Sequence, residues 1–275
     1  MCRLFGYVTN AERSVADLLG DEGLHAFTSL TAVHSDGWGM AWHDTDGRTS
    51  TESSPRSAAV DPAYDALART PLSCAGLVHL RWATGGLDVG PENTHPFFDR
   101  RYALAHNGHI SPISDLEALL TPQSRAALRG DTDSERYFRF VRQCIDECDD
   151  ECDDEVEGVT QALARLIKHF PRSSLNALLL APTRMFAIHI NSRATSPLRA
   201  LRAMFDDEDE IPPRHTTEYF AMDYRVRDDS IEVVSSGLDQ PGWTPVPADT
   251  AVMVDLESRE VTRLDPVAAL DDHTP

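Results

Sequence analysis

Apolar residues in this chain come in short bursts, and the spacing within each burst names the element it predicts. Residues 3–9, LFGYVT with its preceding Arg3, predict a strand, and 11–33 a helix. HSDGWGMAWH (34–43) gives a Gly-rich turn and then a strand, TDGRTSTESSP (45–55) a polar loop or hairpin, and 57–69 a short helix. CAGLVHLRWAT (74–84) is a strand with an apolar centre. YALAHNGHI (102–110) is another, ending at Asn-Gly, a turn signal. Residues 114–128, 133–148 and 156–170 predict three helices; in the second, Tyr137, Val141, Cys144 and Cys148 recur at helical spacing. Strands follow near 175–181, 184–190, 217–225, 231–236 and 250–255, interrupted by an acidic, proline-containing surface loop (205–215). Strand pairs alternate with helix pairs, without internal repeats or a clean linker. The pattern predicts one α+β domain over 2–257 with antiparallel sheets, not a doubly wound fold, and a C-terminal tail over 258–275.

Charge narrows the partners. The 275 residues carry 45 acidic and 25 basic side chains, a net −20, which repels nucleic acid and anionic membranes. No apolar run approaches the ~20 residues that span a bilayer. No basic segment leads into a long apolar stretch at the N-terminus, so a cytoplasmic chain is expected. Lys168 is the only lysine. An acid-rich, lysine-poor composition is similar to that of proteins from salt-accumulating halophiles. Five scattered cysteines do not make a disulfide framework. Cys144, Cys148 and Cys152 share a helical face, but three thiols in line fit tetrahedral zinc poorly and their acidic flanks raise the thiol pKa. They read as helix packing, and no metal or organic cofactor is called for.

Four stretches carry candidate chemistry. Cys2 follows an initiator methionine that is normally trimmed before a small residue. Trimming places a thiol (ordinary pKa about 8.5) beside its own α-amine (about 7.7–8.0), so proton transfer between them is cheap. The alternative is a plain buried cysteine. Arg81 in HLRWATGG (79–86) follows an apolar strand, where a guanidinium needs a partner: a bound carboxylate or an internal salt bridge. Asn107 and Gly108 in AHNGHI (105–110) form either an oxyanion hole or a simple hairpin turn. Asp133 in GDTDSERYF (130–138) either caps a helix or holds an ammonium group.

Taken in order, Cys2, H-x-R-W-A-T, NTHP (93–96), H-N-G and T-D-S-E resemble the class II glutamine amidotransferases, which are N-terminal nucleophile hydrolases. MCRLFGY, HSDGWGMAW and the C-terminal stretch VVSSGLDQPGWTPVPADTAVMVD look most like the small standalone branch that includes γ-glutamyl hydrolases. The resemblance implies a four-layer αββα sandwich of two antiparallel sheets. It implies Cys2 as nucleophile with its amine as base, and Asn107 and Gly108 as the oxyanion hole. Arg81, helped by Thr84, would bind the α-carboxylate of glutamine or a γ-glutamyl compound, Asp133 its α-ammonium, and Trp82 would wall the pocket. Asn93, His95 and Pro96 match as braces. Gly85 and Gly86 stand where several relatives carry histidine, which implies either room for a bulkier γ-glutamyl substituent or simply a looser loop. The implied reaction releases ammonia or an amine through a Cys2 thioester. The ammonia passes to a separate acceptor or synthase subunit, or the chain is a self-contained γ-glutamyl hydrolase. A catalytically silent binding module of the same fold is the remaining alternative.

The charge imbalance makes one prediction by itself. At ~1 M salt the screening length falls to about 3 Å, so self-repulsion is suppressed. The thermal unfolding midpoint should rise monotonically with KCl up to that concentration; a midpoint indifferent to salt contradicts the halophile-like reading.

Overall fold

The computed structural model describes residues 2–44, 48–70, 72–83, 88–148, 154–238 and 241–268. Among the described residues the strands run in chain order as β1 (Arg3–Arg13), β2 (Trp38–His43), β3 (Thr49–Ser54), β4 (Ser73–Leu80), β5 (Phe97–Phe98), β6 (Ala103–His106), β7 (Ala177–Leu180), β8 (Arg184–His189), β9 (Met222–Val226), β10 (Ser230–Ser235), β11 (Thr244–Pro245), β12 (Thr250–Asp255) and β13 (Val261–Leu264). Helices are α1 (Val15–Ser29), α2 (Pro62–Ala68), α3 (Ile113–Ala118), α4 (Pro122–Ala126), α5 (Asp133–Glu147), α6 (Asp154–His169) and α7 (Leu198–Arg202). The strands form two sheets, ordered β11-β9-β10-β1-β4-β2-β3 and β13-β12-β8-β7-β6-β5, and every pairing is antiparallel.

Side-chain alternation stacks these sheets. In β1, Leu4 and Val8 point into a core shared with Leu178, Leu180, Met185 and Ala187 of the other sheet. Phe5 and Tyr7, one residue out of phase, point the opposite way, onto α1 and α2. In β7, Leu178 and Leu180 face the first sheet, while Ala177 and Leu179 face α5 and α6. Two faces per strand and three apolar interfaces give four layers, αββα, as the sequence predicts. The sheets approach closely where β1 places Gly6: a Cβ there would sit 2.8 Å from Leu178 Cδ1.

Differences from the sequence reading have local causes. β1 runs on to Arg13, and α1 starts only after Ser14, whose hydroxyl accepts from the Asp17 N–H while Asp17 Oδ2 accepts from the Ser14 N–H. This capping box overrides the apolar periodicity that suggested a helix from residue 11. Gly20, at φ +73°, then kinks the helix. The span 114–128 divides into α3 and α4 because Pro122 opens a new helix behind the Thr121 cap. The strand expected at 217–225 begins only at Met222. Part of the segment expected as a tail is ordered: β13 pairs with β12 from Ala251↔Leu264 to Val254↔Val261. Cys144 lies in the core beneath α5, where burial raises its thiol to about 11, and Cys148 ends the helix. Cys152 falls outside the described residues.

Leu178 is fully buried between the sheets. Leu178→Ala should cost about 2–5 kcal/mol in chemical denaturation, with little change in denaturant dependence. A cost below about 1 kcal/mol would mean that the sheets are not packed through this side chain.

Candidate active site

Strand parity brings the candidate residues to one end of the sandwich. β1 and β4 pair as Arg3↔Leu80 and Leu4↔His79, so the same register sets Cys2 opposite Arg81. Cys2 shares the inter-sheet parity of Leu4, and His79 and Arg81 share that of Leu77. On the second sheet Ala103 and Ala105 face the first, so Asn107, just past β6, continues towards Cys2. The contact is made: the Cys2 nitrogen donates to Asn107 Oδ1 at 2.9 Å. Cys2 is 5 % exposed and Asn107 is fully buried.

Asn107 is held from several sides. Its N–H donates to the Asn176 carbonyl (2.7 Å) and its carbonyl accepts from Ser174 Oγ (3.0 Å). His106 Nε2 donates to the Ser174 carbonyl (2.9 Å), so its Nδ1 accepts from the Ser134 hydroxyl (2.9 Å). Gly108 passes so close to this frame that a Cβ would meet the Ser174 carbonyl oxygen at 2.0 Å. The Asn107 side-chain Nδ2, by contrast, is buried and has no hydrogen-bond partner. A buried unpaired amide donor costs about 1–3 kcal/mol, which makes it a ready donor for an incoming oxygen.

Arg81 is 2 % exposed, and among the described residues it pairs with no carboxylate. Its guanidinium reaches only the carbonyls of Asp36 (3.4 Å) and Asp88 (3.1 Å). Burial lowers its pKa, opposed by Cys2, Asp36 and Glu92. Among the described residues the internal salt bridge left open by the sequence is therefore not made. Asn93 steadies the surrounding loops: its Nδ2 donates to the Asp88 carbonyl (3.3 Å) and its Oδ1 accepts from the Asp131 N–H (2.9 Å).

Asp133 does not cap α5. Thr132 does, accepting from the Glu135 N–H at 3.1 Å. Asp133 is thereby freed to accept from the Ile110 N–H through Oδ2 at 2.6 Å, with His109 Nδ1 3.6 Å away. Burial pushes the Asp133 carboxyl up, but His109, His106 and the Ile110 N–H outweigh it and hold it below the ordinary range. Bonding to Asp133 raises the His109 pKa. Trp82 packs at the rim against Val33, Leu201, Tyr219 and Phe220. Thr84, Gly85 and Gly86 lie outside the described residues.

Sequence reasoning missed a second tier. Arg3, fully buried, donates from Nη1 to the Cys2 carbonyl (2.8 Å) and from Nε to His215 Nε2 (3.1 Å), and its guanidinium lies 4.2 Å over the Tyr219 ring. Because Arg3 can only donate, His215 Nε2 is an acceptor; Nδ1 then carries the proton towards the Pro213 carbonyl (3.2 Å), and His34 Nε2 donates at 3.1 Å. Burial and the nearby Arg3 drive the His215 pKa down to about 3. His79 and His95, against the same end of the sandwich, are also kept neutral by burial. The only sequence signal for Arg3 was its place directly after Cys2.

The sequence profile of the glutamine amidotransferases class-II family matches residues 1–210. The chain belongs to the class II glutamine amidotransferases. It is 28 % identical over 189 residues to the Escherichia coli (strain K12) protein YafJ, covering 67 % of this chain and 71 % of that one. It is 31 % identical over 118 residues to the gamma-glutamyl-hercynylcysteine sulfoxide hydrolase of Mycolicibacterium smegmatis, covering 40 % of this chain and 52 % of the hydrolase. A glutamine aminotransferase class-II domain protein from Silicibacter pomeroyi has a similar structure, with a TM-score of 0.62 at 18 % identity over 96 % of this chain and 99 % of that one. This last likeness supports the fold.

The buried imidazoles of this amidotransferase-family chain set its acid stability. His79, His95, His106 and His215 all have pKa values below the ordinary histidine value of about 6.5. Below pH ~6.5 the unfolded chain therefore binds more protons than the folded one, so stability falls as pH falls. Denaturant midpoints should drop between pH 7 and 5, before ordinary carboxylates titrate, and His215→Gln should reduce that slope. A flat profile across this interval contradicts the assignment.

Proposed function

We propose that this chain hydrolyses the γ-amide of glutamine or of a γ-glutamyl compound through a thioester on Cys2. One side chain carries the reading. Asn107 binds the Cys2 nitrogen through Oδ1 while its buried Nδ2 has no partner. Once Met1 is removed, that nitrogen is an amine: it still donates to Oδ1, and its lone pair is left to take the thiol proton. Asn107 thereby orients the base and supplies an oxyanion donor at the same time.

The Cys2 thiolate attacks the γ-carbonyl carbon. The carbonyl oxygen becomes an oxyanion held by Asn107 Nδ2 and the Gly108 N–H. The C–N bond breaks, and the leaving ammonia or amine takes its proton from the Cys2 ammonium. Water, deprotonated by the same amine, then releases glutamate and restores the thiol. Arg81 faces the substrate α-carboxylate and Asp133 the α-ammonium, a matched pair for a zwitterion. Trp82 walls the pocket, and Thr84 is assigned beside Arg81 from sequence alone.

Residues beyond the family match at 210 still serve the sandwich: β9, β10, β11, β12 and β13 complete its two sheets. The described residues thus hold no second folded unit to receive ammonia. Transfer would need an acceptor beyond these residues; release into solvent would not. Among the described residues no helix is long and apolar enough to cross a membrane. The paired glycines 85–86 and the γ-glutamyl hydrolase relative both favour compounds larger than glutamine as substrates.

Glutamate release should be measured over a panel running from glutamine to γ-glutamyl peptides and aryl amides. The expected result is turnover of at least one member, with bulky γ-substituents accepted. Asn107→Ala should lower kcat by about 10²–10³ with KM little changed. Arg81→Met and Asp133→Asn should act mainly on KM. Turnover of the panel unaffected by Asn107→Ala sinks the assignment.

A further inference from the structure

Against Cys2 lies a pair of histidines that this reaction does not use. His79 is fully buried and His95 is 4 % exposed. Their rings stack at 4.1 Å between centroids, 25° from parallel, with His95 edge-on to Phe97. Among the described residues none of their four ring nitrogens has a hydrogen-bond partner, although His79 approaches the His106 backbone. Each buried unpaired nitrogen carries a desolvation penalty that an apolar ring of similar size would avoid. Packing alone therefore does not account for two histidines here. The Cys2 Sγ and one nitrogen from each ring lie within 4.8 Å of one another.

We propose that Cys2, His79 and His95 form an inhibitory binding site for a borderline-soft divalent cation of the zinc type. A thiolate and neutral imidazoles are the donor set such ions prefer over magnesium or calcium. Binding exchanges the thiol proton for the metal: the S–H bond breaks, an S–metal bond forms, the proton leaves to solvent, and no electrons are transferred. On the reading that Cys2 is the processed N-terminus, its amine supplies a fourth ligand and closes a five-membered chelate with its own sulfur.

Geometry sets the order of ligation. Ligands of a tetrahedral zinc stand about 3.5 Å apart, so the three atoms, now within 4.8 Å of one another, need to close by up to about 1.3 Å. Stacked rings cannot both direct an in-plane lone pair at one ion. Sulfur, amine and one imidazole therefore bind first, and the second imidazole joins after its ring turns. The bound ion occupies the sulfur that must attack the γ-carbonyl, so it competes with substrate. The site regulates the nucleophile and contributes nothing to turnover.

Cobalt(II) is the probe, because a thiolate–cobalt bond gives a near-ultraviolet charge-transfer band that carboxylates do not. Reduced, chelator-treated full-length protein is titrated in ~1 M KCl, which suppresses cation binding to the −20 surface. One equivalent should raise the band, and zinc should displace it. Cys2→Ser should abolish it; His79→Gln and His95→Gln should each weaken binding at least about tenfold. No band at one equivalent, or a band that persists in Cys2→Ser and so comes from another thiol, overturns the proposal. If either histidine variant fails to fold, the wild type and Cys2→Ser still decide. The band is read without substrate, so it is independent of whether any γ-glutamyl compound turns over.

Discussion

A single hydrogen bond, 2.9 Å from the Cys2 nitrogen to Asn107 Oδ1, joins the first residue of one sheet to the end of a strand in the other. The site depends on that bond because its two ends belong to separate layers. If β1 slipped by one residue against β4 within its own sheet, strand parity would turn Cys2 towards the helices and away from Asn107. The apolar interface between the sheets, dominated by Leu4, Val8, Leu178 and Met185, therefore fixes the chemistry as well as the fold. The closeness of Gly6 to Leu178 and of Gly108 to Ser174 shows how little slack the arrangement has.

Arg3 and Arg81 are both buried, and among the described residues neither meets a carboxylate. The neighbouring imidazoles are neutral and offset neither charge. Burying unbalanced cations is costly and is tolerated where an anion is due to arrive. The proposed reaction gives Arg81 such an anion, the substrate α-carboxylate. Arg3 is tied to the Cys2 carbonyl and to His215, so it holds the shape of the chain at Cys2.

Much of this was legible in the sequence for physical reasons. The two-residue alternation of LFGYVT and of the strand before Arg81 fixed which side chains share a face. The H-N-G turn marked where β6 stops. The role of Asp133 was ambiguous because an aspartate opening a helix is usually its cap; only the structure shows Thr132 in that role, which frees the carboxylate. Ser174 and Asn176 precede an apolar strand with no local pattern to single them out. His215 and Tyr219 come from turns between β8 and β9 and reach Arg3 across more than 200 residues of sequence. Contacts of that kind leave no periodic trace. The apolar pattern runs through the end of β1 and the start of α1 alike, so periodicity alone does not locate the capping box at Ser14.

The central claim is that Cys2, as the processed first residue, supplies both nucleophile and base. Intact-mass analysis after incubation with a glutamine-mimicking diazo-ketone tests it most directly. The account predicts a chain lacking Met1 and carrying one adduct, mapped by fragmentation to Cys2 and absent from Cys2→Ser. Unmodified protein that retains Met1, or an adduct on another residue, would contradict it.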